Sequence, residues 1–447
     1  MAEEKLKEGI PEKEEKPKIE EKPKIEEAPK IEKLTLPETA KSHFGFVGNF
    51  GPIALKMPPT SFDWNYDIWF RPHLELGFWW DRPHPGPFSW HFIEPVKGRY
   101  DFSKPDRYVK EAQKRGVQIL ATIWPFVDWD QEYWRSQPGW RASKGFEMEL
   151  PISRYKPHDI QAYQKFIEAL VERYDGDGIE DMPGLLYPIK YWEVLNEPDS
   201  ILLGGDLNFF RGTAQDYLEV LKISFEAIKK ADPEAVVLHG GSSGGTTIEE
   251  FWDNFFALGG TKYFDLGNIH SIGNSENFNT NAYSALLEKY KKNNFWVTES
   301  QIPVGQSFFG YLTEEDQAKF LVKGYVISFG NGADKVFYTV YQVDPFAPDM
   351  FKRSALIDPN GQKRPAYFAL KTLVKKIEFF TQAQKISDGK YRFIVKGQPV
   401  YVLWGSGNLP AEITGKVKVT DLYGKEAILD APQIKLTDSP IYVESIK

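Results

Sequence analysis

Tyr191-Trp192-Glu193-Val194-Leu195-Asn196-Glu197-Pro198-Asp199 reads as a short buried strand that stops on a polar pair, Asn196-Glu197. Apolar runs of this length suit parallel strands covered on both faces. Pro198 closes the run because proline has no N–H for the next ladder bond. Phe295-Trp296-Val297-Thr298-Glu299-Ser300 has the same design and also ends on a carboxylate.

Further strands of this kind are expected at Phe44–Phe50, His73–Trp80, Val117–Pro125, Ile189–Asn196, Ala235–Gly240, Phe264–Ser271, Phe295–Glu299 and Lys335–Tyr341. Amphipathic segments fall between them: Pro105–Arg115, Asp159–Tyr174, Thr213–Lys230, Asn281–Lys292 and Thr313–Gly330, with Pro365–Ile377 after the eighth strand. Thr313 precedes three acids and suits a helix N-cap. Eight alternations over about 340 residues predict an α/β (β/α)₈ TIM barrel with insertions. The rival, a doubly wound open sheet, usually carries a Gly-rich phosphate loop after its first strand, and none is present.

Beyond about residue 380 the periodicity changes to two. Tyr391–Lys396, Val400–Trp404, Lys416–Leu422 and Ile441–Ile446 alternate apolar and polar residues, and turns such as Leu422-Tyr423-Gly424-Lys425 separate them. This predicts a small C-terminal antiparallel β-sandwich. At the other end, Lys16-Pro17-Lys18-Ile19-Glu20-Glu21 repeats as Lys22-Pro23-Lys24-Ile25-Glu26-Glu27. Such a repeat buries too little apolar surface to offset its ordering entropy, so it is read as a disordered tail, either a tether or a solvated arm. The expected division is 1–36 tail, 37–379 barrel and 380–447 sandwich.

Composition narrows the function. The chain has 447 residues, a net charge of −8, 41% hydrophobic residues and no cysteine. The acidic balance argues against a nucleic-acid partner, and no run of apolar residues is long enough for a membrane span. Lack of cysteine removes disulfides, thiolate nucleophiles and Cys-based zinc sites. The seven histidines show no metal-ligand spacing, so neither metal nor cofactor is expected. No secretory signal is visible, which by default reads as cytoplasmic, or as secreted or tethered if a leader was removed. Nothing in the sequence speaks to oligomeric state.

Active sites of such barrels sit at the carboxyl ends of the strands. Glu197 and Glu299, at the fourth and seventh strand ends, can converge across the mouth. Two opposed carboxyls suit glycoside cleavage, one protonating the leaving oxygen and the other attacking the anomeric carbon. Like charge at close range should keep one of them protonated near neutrality. The alternative is two rim glutamates in surface salt bridges.

Here a resemblance enters. Trp192-Glu193-Val194-Leu195-Asn196-Glu197-Pro198 is similar to the acid/base motif of clan A glycoside hydrolases, and Val297-Thr298-Glu299 to their nucleophile strand. Phe88–Pro95, Gly98–Phe102, Glu315–Ala318, Lys363–Tyr367 and Ser439–Val443 add to the likeness, which runs over about residues 44–447. The nearest group is the family of β-xylosidases and α-L-iduronidases. The resemblance implies a retaining glycosidase acting on β-linked glycosides, with Glu197 as acid/base, Glu299 as nucleophile and a carbohydrate as partner. It implies that Asn196 binds the sugar 2-hydroxyl and that Arg82 steadies the nucleophile; Glu193 reads as a supporting carboxylate.

There are departures. Ile272 stands where many members have a tyrosine that supports the nucleophile, so His270 takes that role or is a satisfied rim histidine. Tyr341 stands where a tryptophan sugar platform is common. Trp90 and Trp124, with Trp79, Trp80, Trp129 and Trp134, are either rim platforms for sugar faces or loop-anchoring core. A transglycosylase on the same machinery and a non-catalytic carbohydrate-binding barrel are the competing readings. The sugar, its linkage and exo or endo action are not legible.

Overall fold

The computed structural model describes residues 33–48, 65–146, 149–203, 208–343 and 348–446. The Lys-Pro-Lys-Ile-Glu-Glu repeats lie outside the described residues, as do the end of the first expected strand (49–50) and stretches that follow barrel strands one, three, four and eight. Lys33–Lys447 forms one compact unit. The chain is already docked at Leu34, whose N–H donates to the Gly176 carbonyl at 2.9 Å.

Eight parallel strands make the barrel: β1 Phe44–Phe46, β2 Trp80–Asp81, β3 Gln118–Ile123, β4 Tyr191–Val194, β5 Val236–His239, β6 Gly267–Ile272, β7 Phe295–Gln301 and β10 Ala333–Tyr338. Their order is β5-β4-β3-β2-β1-β10-β7-β6. Parallel bridges Leu238–Leu266 and Ser242–Ile269 close the ring between β5 and β6. A hairpin, β8 Gly305–Ser307 and β9 Gly310–Leu312, follows β7.

The helices around it are α1 Arg71–Leu76, α2 Ser103–Gln113, α3 Ile160–Glu172, α4 Ala214–Ala231, α5 Asp253–Ala257, α6 Thr280–Lys289, α7 Glu314–Gly330 and α8 Pro365–Ile377. Capping boxes Thr213/Asp216 and Thr313/Asp316 start α4 and α7, and the Asp159 carboxylate accepts the Ala162 N–H at the start of α3. The expected second strand is corrected: His73 belongs to α1, not to a strand. Pro72 sits in the first turn and Gly77, left-handed at φ +77°, stops the helix, so the strand begins only at Trp80.

Inside the barrel the lower layers are apolar. Val47, Trp80, Leu120, Leu238, Trp296 and Phe337 form one buried cluster, joined by Tyr191 and Val236. Trp80 meets Trp296 edge-on at 5.1 Å and Tyr191 stacks on Trp296 at 4.9 Å. The Lys335 ammonium lies 4.7 Å from the Trp80 ring centre. Gly45 makes room for this plug, because a Cβ there would fall 2.4 Å from the Phe337 ring.

The C-terminal sandwich has strands β11 Phe380–Ser387, β12 Lys390–Val395, β13 Gln398–Leu403, β14 Lys416–Thr420, β15 Glu426–Asp430 and β16 Ile441–Ser445, in order β11-β12-β13-β16-β14-β15. Val400 and Val402 join the main core, whereas Tyr401 and Leu403 belong to a second core with Val417, Val419 and Val443. Strict alternation thus buries both faces, one on the barrel and one under the sandwich's own loops. β11 and β15 were not expected from the sequence; they are edge strands, mostly exposed, and lack the apolar alternation.

Candidate active site

Period-two geometry carries the polar site straight up from the aromatic plug. Two residues beyond Trp80, Leu120, Tyr191, Leu266 and Trp296 on their strands come Arg82, Thr122, Glu193, Asn268 and Thr298. All five are buried. Glu193 is their hub. Arg82 donates to it through Nε at 2.7 Å and Nη2 at 3.1 Å, Thr122 at 2.6 Å and Asn268 Nδ2 at 2.6 Å. A buried carboxylate is tolerable on these terms, with a bidentate guanidinium and further donors on its oxygens.

Above this layer the chain leaves β4 with its backbone strained. Leu195 and Glu197 hold φ of +70° and +39°, a left-handed region that costs a non-glycine residue about 1–3 kcal/mol. Asp199 clamps the far end, accepting from Ser243 N and Oγ at 3.0 and 2.9 Å and from Trp252 Nε1 at 2.8 Å. Such strain persists only where surrounding contacts over-determine it, and here it turns Asn196 and Glu197 into the mouth.

β7 delivers Glu299 by another irregularity. Its pairing with β6 runs Ile269–Val297 and then His270–Glu299, which leaves Thr298 as an extra residue. A strict strand would point Thr298 inward and Glu299 outward; the bulge lets both face the site. Thr298 reaches Asn268 and His270, while Glu299 Oε2 lies 3.4 Å from Arg82 Nη1.

One imidazole touches both candidate catalytic groups. His270 Nδ1 is 2.8 Å from Glu197 Oε1 and 3.8 Å from Glu299 Oε2, so these two oxygens are at most 6.6 Å apart, the two distances laid end to end. Gly241 permits the ring, since a Cβ there would lie 2.0 Å from His270 Nε2. Glu197 and Glu299 keep 8% and 7% of their surface exposed, enough to meet a ligand from the mouth.

Electrostatics separates the groups. Burial, aided by Asp199 and Glu193, pushes Glu197 up to about 8 against the pull of Arg82. Burial pushes His270 down to about 4. Glu299 is raised by burial and by Glu197, with His270 and then Arg82 working the other way. At neutral pH a proton therefore resides on Glu197 and the imidazole is neutral.

Asn196 and Arg82 also meet here: Arg82 Nη2 donates to Asn196 Oδ1 at 2.5 Å. The other expected site residues are enclosed by neighbouring side chains. Trp90 is fully buried, stacked on Phe166 at 5.8 Å and edge-on to Trp129 at 5.1 Å, with Nε1 held by Glu94. Trp124 is buried against His84 and Phe209 and donates to the Pro85 carbonyl. Tyr341 is 1% exposed, its ring edge-on to Phe46 and its hydroxyl on Glu75. None of these three rings offers an open face to a sugar. Trp129, Trp134 and Tyr133 line shallow cavities outside the carboxylate pair.

Sequence reasoning did not single out Thr122, Asn268, Gly241 or Thr298 as site residues. Counting in twos from His270 and from Trp296 would have found Asn268 and Thr298. Gly241 carries no such signal. Among the described residues, Glu172 at the end of α3 and Asp175 and Asp177 just after it have carboxylate oxygens within 4.8 Å of one another. No helix among the described residues is long and apolar enough to cross a membrane.

Comparison with solved structures places this architecture. A family 39 glycoside hydrolase from Bacteroides cellulosilyticus WH2 superposes with a TM-score of 0.61 at 18% identity, over 90% of this chain and 81% of that one. A family 39 β-xylosidase from Caulobacter crescentus gives 0.59 at 16%, over 93% and 98%. The chain shares its fold with family 39 glycoside hydrolases. A family 30 endoxylanase from Clostridium papyrosolvens C71 gives 0.52 at 14%, over 94% and 98%, so the likeness extends to a second family. No family model and no curated protein matches the sequence.

Proposed function

We propose that this protein is a retaining glycoside hydrolase acting on β-linked glycosides. The observation that carries the reading is the pair of nearly buried carboxylates at the β4 and β7 ends, no more than 6.6 Å apart between facing oxygens, with burial raising Glu197 to about 8. Retaining enzymes hold their carboxyls about 5–5.5 Å apart, too close to seat a water between them.

In the first step a Glu299 oxygen attacks the anomeric carbon and the glycosidic C–O bond breaks. The departing oxygen takes the proton from Glu197 and leaves as the free alcohol. In the second step Glu197, now a carboxylate, removes a proton from water, whose oxygen displaces Glu299 and restores the original configuration. Arg82 on Asn196 Oδ1 turns the Asn196 amide so that its NH₂ is the donor for a sugar 2-hydroxyl. Arg82 favours the Glu299 anion against the burial that raises its proton affinity.

Two structural neighbours are described as a β-xylosidase and an endoxylanase, which makes xylosides and xylo-oligosaccharides the first substrates to try. A 2-deoxy-2-fluoro-β-xyloside with a good leaving group should inactivate the protein and add one glycosyl mass to the peptide that contains Glu299. Proton NMR of the first product should show the β-anomer. An initial α-anomer, or an adduct on another residue, would overturn the assignment.

A further inference from the structure

The hydrogen bonds around His270 can be given a direction, because each neighbour has a known capacity to donate. Asn268 Nδ2 lies 2.6 Å from Glu193 Oε1 and 3.1 Å from the His239 carbonyl, both acceptors. Its Oδ1 is therefore the atom 2.7 Å from Thr298 Oγ1. Two oxygens at that distance need a proton between them, and an amide oxygen has none to give. The Thr298 hydroxyl supplies it.

That proton being committed, the 3.0 Å contact between Thr298 Oγ1 and His270 Nε2 must take its hydrogen from the imidazole. A neutral imidazole has one N–H, so Nδ1 is left as a lone pair. Glu197 Oε1 stands 2.8 Å from that lone pair. The contact needs a proton, and Glu197 holds it.

We propose that the chain Glu193–Asn268–Thr298–His270 fixes the imidazole with its hydrogen on Nε2, and thereby holds Glu197 in its acid form for proton donation. Thr298 and Asn268 are positioning residues that act through His270. The proposal rests on the reading of Glu197 as the acid. Once Glu197 has given up its proton, its oxygen faces a lone pair at 2.8 Å, a repulsion that favours taking a proton back from the incoming water. The same bond so serves both steps.

The charged and titratable groups facing this pair are Asp199, beyond β4, Glu193 on β4, Glu299 on β7, Arg82 beyond β2, His239 on β5 and His84. Geometry fixes the hydrogen on Nε2; the low proton affinity of His270 and the high one of Glu197 keep the imidazole neutral and leave the proton of their contact on Glu197.

The test separates the hydrogen-bond chain from the reaction. Nitrogen-15 NMR of the imidazoles, with His270 assigned by comparison with His270→Gln, should show the Nε2–H tautomer in the wild-type protein at pH 7, whether or not a substrate is known. In Thr298→Val the acceptor for Nε2–H is lost; the hydrogen moves to Nδ1 and donates to Glu197, stabilising its anion. The alkaline limb of kcat/KM on an aryl glycoside should then fall by about one pH unit, a tenfold loss above the limb. Thr298→Ser should keep both tautomer and limb. An Nδ1–H tautomer in the wild type, or an unmoved limb in Thr298→Val, overturns the proposal. Absence of turnover by the wild type with the Nε2–H tautomer present would instead sink the glycosidase reading and leave the chain of hydrogen bonds standing.

Discussion

Trp80, in β2, and Arg82, just beyond it, are two residues apart and face the same barrel axis, yet they belong to opposite kinds of interior. The same step separates Tyr191 from Glu193 and Trp296 from Thr298. Below, aromatic rings fill the barrel and their burial contributes stability with few polar atoms to satisfy. Above, the same depth is spent on an arginine, three glutamates, a histidine and their donors, which are tolerable because they hydrogen-bond one another. One pleat step converts a structural layer into a chemical one. Substitutions in the upper layer should therefore change chemistry out of proportion to stability, and substitutions in the lower layer should do the reverse.

The largest expected break is at Glu299. Glu299→Gln keeps the shape and removes the proposed nucleophile, so kcat should fall by at least about 10⁴-fold while the melting temperature holds or rises, because a buried carboxylate is gone. Glu197→Gln should cost about 10²–10⁴-fold with a poor leaving group and much less with an activated one. Steady-state kinetics on two aryl glycosides of different leaving-group acidity decides both. A Glu299→Gln variant with wild-type turnover would return the upper layer to a purely structural role.

The pH dependence follows from Glu197. In the proposed mechanism glycosylation needs its proton, so kcat/KM should fall as pH rises through about 8. Stability has the same sign. The folded state holds this proton more tightly than the unfolded chain, so the contribution is complete below the unfolded carboxyl value and is lost as pH rises towards about 8. Thermal melts at pH 5 and pH 9 should show a drop in the wild type that Glu197→Gln lacks. An equal drop in both would place the titrating group elsewhere.

Arg82 ties the layers together, and removing it should be expensive in both currencies. Arg82→Met leaves Glu193 and Glu299 without their guanidinium, and breaking a buried pair from one side costs about 3–5 kcal/mol. Trp296→Ala, in the aromatic layer below, should cost about the same through the cavity it leaves. Only the arginine variant, where it remains folded, should also lose most of its turnover. Chemical denaturation with activity measured on the folded fraction distinguishes the two.

How far the sequence discloses these layers depends on whether a residue's role follows from spacing. Glu197 and Glu299 were legible because each ends an apolar run of strand length. The barrel was legible because those runs alternate with amphipathic segments. Arg82 was proposed from resemblance, and the structure brings it to Glu193, Asn196 and Glu299. Trp90, Trp124 and Tyr341 illustrate the limit: an aromatic residue near a strand end reads alike whether its face is open or, as here, walled in by other rings. The bulge at Thr298 and the left-handed backbone at Leu195 and Glu197 leave no mark in composition, since neither uses glycine. Both are decided by tertiary contacts.

The smallest expected effects give the sharpest comparison, because one added methyl can be placed in each layer. Gly45→Ala drives a Cβ to 2.4 Å from the Phe337 ring in the aromatic plug, and Gly241→Ala drives one to 2.0 Å from His270 Nε2. Overpacking of this kind costs about 1–3 kcal/mol wherever it occurs. In the plug the ring shifts among other rings, so Gly45→Ala should lower the melting temperature and leave kcat and the alkaline limb where they were; Phe337→Leu in the same chain should restore part of the loss. Beside His270 the ring cannot move without giving up Thr298 or Glu197. Gly241→Ala should therefore lower kcat/KM and pull the alkaline limb down at a similar cost in stability. If both variants lose stability alone, the upper layer tolerates displacement of His270 and the barrel interior is one layer, not two.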